Sequence, residues 1–105
     1  MANTRGSRVL IRRPEAIETV ADVTVGSSAT QLVGVDRDRD YVMITNTDSA
    51  ETIRIGDSNV AAGRGTPVAP GETATLEGTF AVQAIREGSS DVVVAVSYAR
   101  FASAA

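Results

Sequence analysis

The sequence predicts an all-β fold: a single small β-sandwich or jelly-roll-like barrel of about six to eight short strands with an extended N-terminal arm. Three observations carry this. Short β-branched runs alternate apolar and polar residues at period two, as a half-buried strand requires. Turn-forming Gly, Ser, Asp, Asn and Pro recur about every eight to twelve residues between them. No stretch sustains helical periodicity over a helix of ordinary length. At 105 residues the chain has room for one core only. With Tyr41, Phe80, Tyr98 and Phe101 as its four aromatics, that core is built from Val, Ile, Leu and Ala.

In chain order, residues 1–13 read as a basic arm. Pro14-Glu15-Ala16-Ile17-Glu18 opens like a helix, with Pro at the first helical position and early acids. Thr19-Val20 and Val23-Thr24-Val25 pull toward strand, so the expectation is one helical turn followed by a strand over Ala21–Val25. Gly26-Ser27-Ser28 breaks it. Thr30–Val35 is the next β-run, with Leu32 and Val33 on opposite faces, and Asp36–Asp40 is a polar loop. Tyr41–Thr45 sets Val42 and Ile44 on one face, with Tyr41 and Met43 on the other. Both faces are apolar, which suits a central strand or one covered by a neighbouring subunit.

After the polar link Asn46–Glu51, Thr52–Ile55 turns Ile53 and Ile55 inward. A turn-rich excursion follows, closed by Pro70-Gly71, where Pro presets φ and Gly takes the positive φ of a type II turn. Thr73–Glu77 faces Ala74 and Leu76 inward. Phe80–Arg86 groups Phe80, Val82 and Ala84, leaving Ile85 on the wrong face, through a bulge or an outward contact. Glu87-Gly88-Ser89-Ser90 is a hairpin-type turn. Asp91–Tyr98 aligns Val92, Val94, Val96 and Tyr98, with Val93, Ala95 and Ser97 on its other face. The sandwich domain is thus expected over 14–101, with a frayed tail over 102–105.

Composition removes whole classes of chemistry. The chain has no Cys, His, Trp or Lys, so thiolate and imidazole metal sites and disulfides are excluded. Gly56-Asp57-Ser58 is like a serine-hydrolase block, but the nucleophile lacks a His or Lys base. Asp36-x-Asp38-x-Asp40 imitates the start of a calcium loop. Tyr41 and Thr47, however, stand where an EF-hand needs its turning Gly and its bidentate acid, so a solvated loop neutralised by Arg37 and Arg39 is expected. Gly63-Arg64-Gly65 is neither a dinucleotide fingerprint nor a phosphate loop. Glu51, Glu72, Glu77 and Glu87 lie at loop edges or on solvent faces, where acids ordinarily go. Catalytic residues, cofactors and metals are therefore not expected, and the protein reads as a non-enzyme.

The net charge of −3 conceals an asymmetry. Arg5, Arg8, Arg12 and Arg13 precede Pro14, leaving six arginines against thirteen acids, a net −7, for everything after. A basic arm on an acidic body suits docking on an acidic surface. The acidic body argues against nucleic acid as a partner. Val9-Leu10-Ile11 is too short for a signal-peptide core and Val92–Val96 is strand-length, so no leader and no membrane partner are expected.

The succession Thr24–Leu32, Tyr41–Asn46, Ile53–Val60 and Gly65–Glu72 resembles a group of small β-domains from tailed bacteriophages, the virion structural proteins of head-fibre or capsid-decoration type. The similarity spans Thr24–Tyr98. It implies a capsid decoration (cement) protein that forms trimers over the lattice of a major capsid protein. That places it on the virion capsid surface after synthesis in the host cytoplasm. A tail or fibre module binding host carbohydrate or a tail partner is the alternative. The arm lies outside the resemblance; from charge alone, Arg5, Arg8, Arg12 and Arg13 are the candidate capsid-binding residues. Tyr41, Met43, Val93 and Ala95, apolar on faces turned away from the core, are the candidate subunit-interface residues.

Overall fold

The computed structural model describes residues 14–101. They form eight strands: β1 Pro14–Val25, β2 Thr30–Val33, β3 Arg39–Asn46, β4 Ile53–Gly56, β5 Thr66–Val68, β6 Thr73–Glu77, β7 Val82–Arg86 and β8 Val92–Phe101. The order β1-β8-β3-β6 makes one antiparallel sheet and β2-β7-β4-β5 the other. The pairings nest, β4 with β5, β3 with β6, β2 with β7 and β1 with β8, while β8 also pairs β3 and β7 pairs β4. This is the strand order of a jelly roll, a long hairpin rolled into two facing sheets. The all-β sandwich expected from the alternation is what the chain forms.

Between the sheets lie Val25, Leu32, Val33, Val42, Ile44, Ile53, Ile55, Val68, Val82, Ala84, Val92, Val94 and Val96. β-Branched aliphatics dominate because each strand presents them at every second position, and stiff χ1 rotamers pack well on a pleated surface. Truncating fully buried Ile44 or Ile53 to Ala removes about 2–5 kcal/mol.

Several local expectations are corrected. Residues 14–18 form no helical turn; they begin the long strand β1, because their backbone groups are taken by the ladder to β8, from Pro14↔Phe101 onward. A bulge between Val20 and Val23 then keeps both valines turned to the core. Leu32 and Val33 are both buried rather than on opposite faces, because a register shift between Gln31 and Val33 turns the pleat. Phe80 is not in a strand and is half exposed; its ring lies on Gly78, where φ is +129° and a Cβ would come within 2.5 Å of it. The Glu87–Ser90 turn is not a hairpin, since it carries the chain from one sheet to the other. Short strand β5, unforeseen in the turn-rich excursion, forms a local hairpin with β4. Ile85 does face outward, opposite Arg54 and without a bulge between β7 and β4. Arg54 stretches from Glu87 to the Gly65 carbonyl, so its methylenes cover that position.

The Pro70-Gly71 turn forms as expected. Gly71 has φ of +79° and Glu72 N–H donates to the Ala69 carbonyl at 3.0 Å. That turn docks on the end of β3, where Gly71 N–H donates to Asn46 O and Asn46 N–H to Glu72 O. The Asn46 side chain, fully buried, donates from Nδ2 to Glu51 O (2.8 Å) and Val68 O (3.0 Å). Its Oδ1 accepts from Asp48 N–H at 2.9 Å. One amide thus ties the two sheets and two loops together. Asn46→Ala leaves buried carbonyls without a donor and is expected to destabilise the protein by about 2–4 kcal/mol, read as a lower urea midpoint at unchanged m.

Candidate interaction surface

The chemistry-bearing groups gather at the opposite end of β3 and on the outer face of its sheet. At that end Arg39, 3% exposed, is the one buried charged residue among the described ones. Its Nε donates to Gly78 O (3.1 Å), one terminal nitrogen to Gly34 O (2.9 Å) and the other to Phe80 O. Burial pushes its pKa below the ordinary value, against the opposing pull of Asp36 and Tyr98. The guanidinium is spent on backbone carbonyls, which fastens the β2–β3 and β6–β7 loops to each other.

Arg100 stands directly across from Arg39 in the β3·β8 ladder. Two like charges so placed repel, and three acids offset them. Arg100 reaches Asp36 at 3.1 Å, Glu18 at 3.3 Å and Asp38 at 3.5 Å. Its pKa is raised, chiefly by Glu18 and then by Asp36. Two of the three aspartates that imitate a calcium loop, Asp36 and Asp38, are therefore turned onto Arg100, and Asp36 also acts on Arg39. Among the described residues no three acids gather as a metal site would need. Gly56-Asp57-Ser58 is likewise a turn: Asp57 Oδ1 accepts from Asn59 N–H and its carbonyl from Val60 N–H. Beside Arg39 a depression of about 270 Å³ opens between the sheets, with Val20, Leu32, Val33 and Tyr98 among its walls.

The outer face of the β1-β8-β3-β6 sheet has a different character. Its cross-strand rows run Ile17–Ala99–Tyr41–Glu77 and Thr19–Ser97–Met43–Thr75, then Ala95–Thr45–Thr73, and Thr24–Val93. The central strands carry no charge in these rows; Asp22 and Glu77 stand at the two edges. Ile17 is 62% exposed and Val93 42%. On β8 the outward residues Ala95 and Ser97 are small and half-buried, so a furrow runs beside them between larger side chains of β3 and β1, whereas Ala99 in the next row is fully buried. Part of that furrow is a depression of about 270 Å³ bordered by Thr19, Asp22, Met43, Thr45, Ala95 and Ser97.

The four apolar candidates named from the sequence, Tyr41, Met43, Val93 and Ala95, thus share this single face. Arg5, Arg8, Arg12 and Arg13 lie outside the described residues. Sequence reasoning missed Ile17, because a helical turn set it beside Val20 instead of on the opposite face. It also missed Arg39, which its setting among aspartates disguised as a loop residue. No family model matches the chain, and neither does a curated protein or a solved structure.

Two expectations follow. Arg39→Lys keeps the charge but not the fork that reaches three carbonyls. It and Arg39→Met are expected to cost about 2–4 kcal/mol in unfolding experiments. The second concerns acid. Asp48 is held below its ordinary 3.8 by the Ala50 and Glu51 N–H groups, and Glu87 below 4.5 by Arg54. A depressed folded value gives stability that is complete above the ordinary one and lost as pH falls through the folded one. Between about pH 5 and pH 2, Asp48→Asn and Glu87→Gln should therefore each flatten the fall of the melting temperature.

Proposed function

We propose that this protein is a non-enzymatic structural component of a tailed-bacteriophage virion, a capsid decoration protein that assembles with copies of itself and reinforces the shell. The observation that carries the reading is the partly apolar outer face of one sheet, uncharged along its two central strands, on an otherwise acidic domain. A face of that kind is a contact surface rather than a solvated one. Supporting it are the resemblance in residues 24–98 and the jelly-roll strand order, an architecture that recurs in viral capsid and lectin domains. A fold alone assigns no function, so the weight rests on the surface. The absence of His, Cys and Lys from the sequence agrees with a role that needs no activated nucleophile. The partner is the major capsid protein, and a trimer is the arrangement the resemblance implies.

In this reading the arginines at 5, 8, 12 and 13 hold an acidic capsid surface. Exposed pairs contribute at most about 1 kcal/mol each, so the arm adds to contacts from the sandwich and gains from several subunits acting together. The test is to add the purified protein to particles lacking it and count bound copies by cryo-imaging. Hundreds of copies on the head lattice are expected; a few at the tail would favour the fibre reading, and none would end both. Removal of residues 1–13 is expected to leave folding and self-association intact while weakening particle binding and altering its salt dependence.

A further inference from the structure

We infer that the outer face of the β1-β8-β3-β6 sheet pairs with the same face of a second copy, about a two-fold axis parallel to the strands, with β3 of each copy seated in the β8 furrow of the other. The inference rests on the self-assembly in the reading above, replaces the trimer that the resemblance implies by a two-fold pair, and adds the axis and the residues that meet.

Charge favours self-pairing on this face. The domain after Pro14 carries a net −7, so most faces of one copy repel the same face of another. The central rows of this face have no charge to repel. Shape favours the same pairing. Within each row a large residue on β3 stands beside a small one on β8: Tyr41 beside Ala99, Met43 beside Ser97, Thr45 beside Ala95. Both strands are interior, so an axis running between them along the strand direction exchanges their positions. It places Met43 over the partner's Ser97 and Thr45 over the partner's Ala95, each contact occurring twice, and sets Tyr41 at the level of the partner's Ala99, which is itself fully buried. An axis across the strands would instead set ridge on ridge.

The edges agree with this axis. Asp22 comes over the partner's Thr73 region, and Glu77 over the partner's Ile17, so no acid faces an acid. Facing sheets pack about 10 Å apart with strands within about 30° of alignment, which the twist of these strands allows. Four strands about 4.8 Å apart and seven residues at about 3.3 Å each give roughly 400 Å² of projected face per copy. Both faces together come to roughly 800 Å², below the about 1,200–2,000 Å² of a stable pair, so association is weak, concentration-dependent and strengthened where copies are held together on a surface.

The test is a charge exchange across the axis, read by sedimentation of the full chain from micromolar to millimolar concentration, with melting curves confirming that each variant folds. Met43→Glu and Ser97→Arg are each expected to weaken self-association at least tenfold. An equimolar mixture of the two variants should regain it. The carboxylate introduced in one copy then meets the guanidinium introduced in the other, while the second contact stays native. Wild-type dimerisation together with rescue by mixing supports the pairing. A trimer indifferent to both variants overturns the pairing and leaves the assembly reading intact. A wild-type monomer at every concentration also overturns it, and loss of its particle binding in Met43→Glu would then give the face to a different protein.

Discussion

Strand β3 is held at both ends by the two buried polar side chains of the described domain, and the rest of the sandwich is hung between them. Asn46 at one end bonds to the Glu51 carbonyl of a loop and to the Val68 carbonyl in the opposite sheet, and Arg39 at the other bonds to carbonyls of the loops at Gly34, Gly78 and Phe80. Between them Val42 and Ile44 drop fully buried into the core. Aliphatic packing is non-directional, and valines and isoleucines alone would let two sheets slide or rotate on each other. Buried donors are not so permissive, because a carbonyl that loses its partner costs more than a methyl group that shifts. The polar ends therefore fix register where the core supplies cohesion.

The division between what was legible and what was not follows from the range of the forces involved. Period-two alternation is local, so the inward sets Val42/Ile44, Ile53/Ile55, Ala74/Leu76 and Val92/Val94/Val96 could be read directly. The Pro70-Gly71 turn could be read for the same reason, since its signal lies in two adjacent residues. Bulges are set by the partner strand, and so the turning of Val33 and Val23 could not be read. The helical opening at Pro14-Glu15 reflects real local preference, overridden by a ladder to a strand that begins 78 residues later, at Val92. Arg39 illustrates a third case. Its neighbours in sequence are acids, whereas its neighbours in space are carbonyls contributed by Gly34, Gly78 and Phe80.

The candidate surface was legible to about the same depth. That Tyr41, Met43, Val93 and Ala95 turn away from the core is a matter of alternation within single strands. That they lie on one face required the pairing of β3 with β8, which no local pattern specifies. Charge, too, is distributed by topology. Acids and arginines collect at the two ends and on the outer face of the second sheet, as in Arg54–Glu87 and Arg86–Asp91, and leave one sheet face neutral at its centre.

The nested pairing has a consequence for how this chain comes together. Partners in the β4·β5 hairpin are as near as 11 residues apart in sequence, while those in β1·β8 reach 87. Closing each outer layer is easier once the inner one has formed, because the loop still to be closed is shortened by what is already paired. Folding that zips from the central hairpin outward makes β8 the final keystone, joining β1 to β3. Its many distant contacts place the domain among slow-folding topologies. Loss of β1 would strip one edge, whereas loss of β8 would open its sheet through the middle.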